Sequence, residues 1–462
     1  MSESAPGPGL KRVLGVPGLT LFGLTYLAPV AVFTTYGAVA QVTGGHLPAA
    51  YVVALVVMLF TAFSYGRMAK AFPTAGSAYT YTQQTFGRHV GFMTGWTLML
   101  DYLFLPMINF LLIGIYLNSQ FPAVPQWIFT LGALLLVFAL NILGITVMSR
   151  VNALVVGVSV VLIVVFVALA LKHLAGHPSP SPFASFAPGT GVFSGAAILA
   201  LSFLGFDAVS TLSEEARDPR RSIPRAIVLT TLIGGLLFIV VAWMGGLVHP
   251  GYDDFANPDT AGVDIMAALG GAAFQTIFVG IYVIGAFGSA MTTQASVSRI
   301  LYSMGRDGVL PRRVFGALSA RFKTPVFAVA VVSAVSLVAL FISLGNAVVM
   351  INFGALIAFS MVNLTVVKHY LIDGRRRSAG DLLLYGALPL VGFGLTVWLW
   401  TSLSGVTFTV GLIWMAVGFV YLLGLTRLFT RTPPAMTFSE AEPTAAWPRR
   451  GRRGGGGPGG DR

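Results

Sequence analysis

Twelve runs of about 20 mostly apolar residues follow one another along the chain, near 16–42, 47–69, 87–118, 126–147, 151–172, 192–213, 226–248, 265–304, 325–344, 346–370, 382–403 and 406–428. Wound as a helix, such a run spans the roughly 30 Å hydrocarbon core of a bilayer. The expected fold is therefore an all-α polytopic membrane protein of twelve transmembrane helices. Only 10% of the 462 residues are charged, against about 25% in a soluble domain, so no single water-soluble core could hide this much apolar surface. The eighth run is overlong, which implies tilt or extension into a cytoplasmic helix.

The net charge of +12 is topological. With the N-terminus inside, only Lys172 of the 28 Lys and Arg residues faces outward. That asymmetry is the positive-inside rule, and it places both termini in the cytoplasm. Nucleic acid is not an expected partner. The chain has no cysteine, and no cleavable signal peptide precedes the first run. Residues 1–15 and the Pro/Gly/Arg-rich stretch 431–462 read as disordered, the basic tail suiting anionic lipid headgroups. The outer loop 251–264 carries Asp253, Asp254, Asp259 and Asp264 and no basic residue. It is either a solvated loop or an acidic vestibule that concentrates a cation.

Two runs are interrupted in matching ways. GLTYLAP places Gly23 and Pro29 within the first, and FLGFDAVS places Gly205 beside Asp207 in the sixth. Each opens a set of five, giving one repeat over about 16–173 and a second over about 192–372. Two extra helices follow at about 382–428, all within a transporter domain of 16–430. Paired broken helices in two halves point to an inverted-repeat transporter with substrate bound at the breaks. Single Gly and Pro residues are also common in membrane helices, so the symmetry does not stand alone.

Asp101 and Asp207 lie deep within runs three and six, where an ionised group is costly and usually has a task. On an α-helix Asp207, Ser210, Thr211 and Glu214 would form one polar stripe towards the cytoplasm. Glu214 and Glu215 lie beside Arg217, Arg220, Arg221 and Arg225, which suits a gating ion network. No Lys or Arg sits deep in any run, and an electronegative site of this kind predicts a cationic substrate. An amino acid would also need amide donors for its carboxylate, and the break in run one offers one glycine and a proline, which has no N–H. A diamine, its ammonium groups about 6 Å apart, suits two carboxylates with aromatic rings between them. Tyr26, Tyr102, Phe203 and Phe206 are available for that contact or for packing.

The motifs PTAGSAYTYTQ (73–83), GFMTGW (91–96), DYLFLPMIN (101–109), FLGFDAVSTLSEEARDPRRSIPRAI (203–227), SVSRILYSMGRDGVLP (296–311) and INFGALIAF (351–359) resemble the amino acid–polyamine–organocation permeases, most closely the bacterial putrescine importers. The resemblance covers roughly 15–430. It implies the five-plus-five inverted-repeat fold with broken helices one and six, and proton-driven uptake across the bacterial inner membrane. It also implies a substrate site at Gly23, Thr25, Tyr26, Asp101, Tyr102, Phe203, Gly205, Phe206 and Asp207. The glycine-rich first-helix signature of amino acid carriers is absent, as is the fifth-helix lysine that some relatives protonate. A carboxylate must then carry the proton, and Asp207 is the first choice, with Glu214 and Glu215 gating.

Sodium is the alternative driver, with Ser289, Thr292 and Thr293 offering hydroxyl oxygens, although such residues also serve helix packing. No cofactor or bound metal is expected. A cationic or neutral amino acid permease, whether coupled or an exchanger, is the competing reading. A membrane-embedded enzyme fits poorly, since the chain lacks H-E-x-x-H, G-x-S-x-G and G-x-x-x-x-G-K patterns and its six histidines are scattered. A sensor would bring an appended signalling domain, and none is visible. Oligomeric state leaves no mark in the sequence.

Overall fold

The computed structural model describes residues 14–434 apart from 74–76, 144–147, 178–180, 320, 323 and 404, and for 148–156 and 214 it describes the backbone alone. Most of the two tails expected to be disordered lies outside the described residues. Among the described residues there are eleven helical segments long and apolar enough to cross a membrane, and a shorter apolar helix, Val326–Leu340, in the place of the ninth expected run. The ninth is short because Pro325 opens it and Ser343, accepting from the Asn346 N–H, caps the helix that follows.

The third segment, Arg88–Gln120, is 83% buried over its most apolar stretch, and the last, Gly405–Thr426, only 22%. The third is therefore the bundle's axis and the last lies at its rim. The first segment packs on the seventh and the sixth, the second on the seventh, and the third on both the eighth and the tenth.

The eighth segment, Pro258–Arg306, is broken near its start by Gly271 at φ 63° and ψ −165°. Beyond that kink the helix runs unbroken for about 50 Å at 1.5 Å per residue, which exceeds the hydrocarbon thickness. Small residues let helices approach closely. A β-carbon at Gly23 would lie 2.5 Å from Thr230 Oγ1 and 2.7 Å from Val209 Cγ2, so the first, sixth and seventh segments converge there.

Candidate functional site

The first helix runs Val16–Tyr26 and ends where Leu27 and Ala28 return their N–H groups to Gly23 and Thr25. Ala28 then adopts φ 48°, and Pro29–Phe33 continues as a tight three-residue-per-turn helix. The interruption therefore falls at Ala28–Pro29. Gly23 is helical and serves close packing, and Thr25 donates its hydroxyl to Leu21 O at 2.8 Å.

The sixth helix stops at Leu204, which is extended, and at Gly205, whose φ of 121° favours glycine. The two interruptions touch: a β-carbon at Gly205 would lie 2.6 Å from Tyr26 Cδ1 and 3.2 Å from the Tyr26 carbonyl carbon. The N–H of Gly205 donates to Asp207 Oδ1 at 3.2 Å, so this carboxylate caps the turn that restarts the chain.

The restart is tightly wound as well, over Asp207–Glu214. Ser210 Oγ donates to Asp207 O at 2.6 Å, Ser213 to Ser210 O at 2.7 Å and Thr211 to Ala208 O at 2.7 Å, each three residues back. This corrects the single polar stripe. At three residues per turn, residues i and i+3 eclipse, so Asp207, Ser210 and Ser213 form one row, while Thr211 and Glu214 fall on the next. Ser210 and Ser213 are fully buried.

Asp101 is buried on the third helix, against the backbone of the tenth. A β-carbon at Gly354 would lie 2.7 Å from Thr97 O and 3.6 Å from Asp101 Cβ. Thr97 spends its own hydroxyl on Met93 O at 2.8 Å. The link between the two aspartates is Tyr65 of the second helix, Leu47–Ala71, whose phenol interacts electrostatically with Asp207, Tyr102, Tyr81 and Asp101. The Tyr65 ring stands edge-on to Phe206 at 5.6 Å, to Phe359 at 5.9 Å and to Tyr81 at 6.0 Å.

The fold thus gathers Tyr26, Asp101, Tyr102, Gly205, Phe206 and Asp207 around one centre. Phe203 turns the other way, edge-on to Phe238 at 5.7 Å. Tyr65 and Tyr81 were missed in the sequence. A tyrosine two residues before Arg67 reads as an interface anchor, and Tyr81 lies on Ala78–Phe86, a short helix outside every apolar run.

Both ends of the broken helices are tied. On one side the N–H of Leu14 donates to Glu215 O at 3.1 Å and Leu14 O accepts from Arg217 at 3.0 Å. On the other, the hydroxyls of Thr34 and Tyr282 bond at 2.5 Å, Tyr282 stacks on Tyr116 at 4.0 Å, and Tyr116 donates to Phe33 O at 3.2 Å.

Around the expected gate, Arg221 pairs with Asp218 at 3.8 Å, both exposed. The side chain of Glu214 lies outside the described residues, and Glu215 takes part through its carbonyl. In the outer loop, Asp254 meets His249 at 2.8 Å. Of the three hydroxyls considered for sodium, Thr292 and Thr293 donate within their own helix, to Gly288 O at 3.0 Å and Ser289 O at 2.7 Å. Thr292 is exposed and Ser289 half-buried.

Two discontinuous helices meeting beside two membrane-embedded carboxylates define a transporter built on broken helices. A family model described as amino acid permease matches residues 18–428, and the chain belongs to that family. It is 39% identical over 434 residues to the low-affinity putrescine importer PlaP of Escherichia coli strain K12, covering 92% of this chain and 96% of that one. It is 32% identical over 388 residues to the branched-chain amino acid permease BcaP of Bacillus subtilis, covering 78% and 81%. It is 29% identical over 454 residues to the methylthioribose transporter of the same organism, covering 92% and 95%. The protein is a membrane transporter and not an enzyme.

Proposed function

We propose that this permease imports a small organic cation, putrescine or a related polyamine, by proton symport with alternating access across a bacterial inner membrane, both termini facing the cytoplasm. The observation that carries this reading is the pair Asp101 and Asp207, joined electrostatically through Tyr65. No Lys or Arg sits deep in any of the apolar runs. An ammonium group supplies the charge that such a centre requires, and the rings of Tyr26, Tyr102 and Phe206 offer faces to its hydrocarbon and charge.

The first break supports an amine over an amino acid. The N–H groups of Leu27, Ala28 and Ala31 already bond to Gly23, Thr25 and Ala28, and Pro29 has none to give an incoming carboxylate. Asp207 is the group proposed to carry the proton, because its Oδ1 sits on the turn that would move when the sixth helix rearranges. Similarity to a branched-chain amino acid permease keeps amino acid transport as the second reading.

Proteoliposomes with an imposed pH gradient test both. Accumulation of labelled putrescine that collapses with the gradient, and persists without sodium, is the expected result. Accumulation of leucine or lysine in its place would establish the second reading.

A further inference from the structure

Tyr65 is fully buried, yet among the described residues its hydroxyl has no hydrogen-bond partner. Three other buried tyrosines of this protein do have one, while Tyr81, whose ring Tyr65 meets edge-on, shares the lack. Tyr51, on the same helix, meets Ser202 Oγ at 3.3 Å, Tyr36 donates to Ala242 O at 3.0 Å, and Tyr116 to Phe33 O at 3.2 Å. A buried polar group without a partner is costly and calls for an explanation. Phenylalanine would fill the same slot between Phe206, Phe359 and Tyr81 without that cost. The hydroxyl interacts electrostatically with the acidic centre: Asp207, Tyr102, Tyr81 and Asp101.

The geometry points to the Tyr65 hydroxyl as a further substrate ligand, supplied by the second helix. It accepts an N–H from the substrate ammonium and donates its own proton to the carboxylate of Asp207 or Asp101. A phenol carries one donor and can also accept. The negative field of the two carboxylates would turn its proton towards them once substrate is bound, leaving its lone pairs for a substrate N–H. Tyr65 thereby favours N–H donors over an anionic or apolar end group. This role rests on the cation-import reading above.

The test compares wild type with Tyr65→Phe, which keeps the ring. Uptake of labelled putrescine into proteoliposomes is measured alongside the melting temperature of the purified full chain. The expected result is a KM raised roughly tenfold or more, the scale of a hydrogen bond to a charged group, with Vmax retained and melting temperature equal or higher. An unchanged KM overturns the role of Tyr65 alone. A raised KM with a lowered melting temperature also overturns it, because the hydroxyl is then a structural one. No putrescine uptake by wild type overturns this inference together with the reading beneath it.

Discussion

Gly205 lies against Tyr26, so the unwound turns of the first and sixth helices bear directly on each other. A β-carbon at position 205 would sit 2.6 Å from Tyr26 Cδ1, and the glycine holds φ 121°. Gly205→Ala therefore meets both steric overlap and an unfavourable backbone region. The expected cost is about 1–3 kcal/mol, read as a lower melting temperature together with at least tenfold slower uptake. An alanine variant that transports and melts like wild type would show that the breaks do not need this contact.

Asp207→Asn separates charge from capping. Its side-chain carbonyl can still accept from the Gly205 N–H, as Asp207 Oδ1 does at 3.2 Å, while the negative charge is gone. Expression and melting temperature should stay near wild type, and uptake of putrescine should fall to background. Asp101→Asn should do the same. Normal uptake in either variant would remove that residue from the site.

The pairing of Leu14 with the strand-like turn around Ala216 ties the chain before the first helix to the end of the sixth. Leu14→Pro removes the N–H that reaches Glu215 O at 3.1 Å. The protein has no cysteine, so Ser213→Cys makes a unique reporter beside this tie. Maleimide labelling of the buried position should accelerate several-fold in the Leu14→Pro background. An equal rate in both backgrounds would mean that the pairing does not hold this end closed.

Trp96 and Trp414 exchange reciprocal bonds, each indole N–H donating to the other's carbonyl, at 3.0 Å and 2.8 Å, with rings stacked at 5.0 Å. The pair fastens the rim helix to the bundle's axis. Trp96→Phe should cost about 1 kcal/mol for the lost bond, seen as a melting temperature lowered by a few degrees with KM unchanged. A shift in KM would place the pair in the transport cycle instead.

Much of the fold was legible because the bilayer restricts the menu. Runs such as 47–69 and 406–428 have one stable solution in lipid. Asp101 and Asp207 stood out for the same reason, as charges in an apolar chain. Tyr65 did not, because a tyrosine near a helix end is ordinary wherever the helix meets headgroups. The stripe from Asp207 to Glu214 divides into two rows in the structure, because α and tighter winding are open to the same local sequence. Here the seryl and threonyl hydroxyls each bond to the carbonyl three residues back.

By itself the sequence determined a helical membrane protein, the positions of its spans and the two carboxylates that membrane burial makes conspicuous, since hydrophobic length and charge are properties of each segment alone. Only the tertiary structure decided which residues meet. The first break is the local exception: Pro29 has no N–H to extend the helix and disfavours helical backbone at Ala28. Gly205 is needed because Tyr26 arrives from another helix. Tyr65 joins the acidic centre because the second helix carries it beneath Phe206 and Phe359. Such meetings depend on how helices far apart in sequence pack, and no local run of residues encodes them.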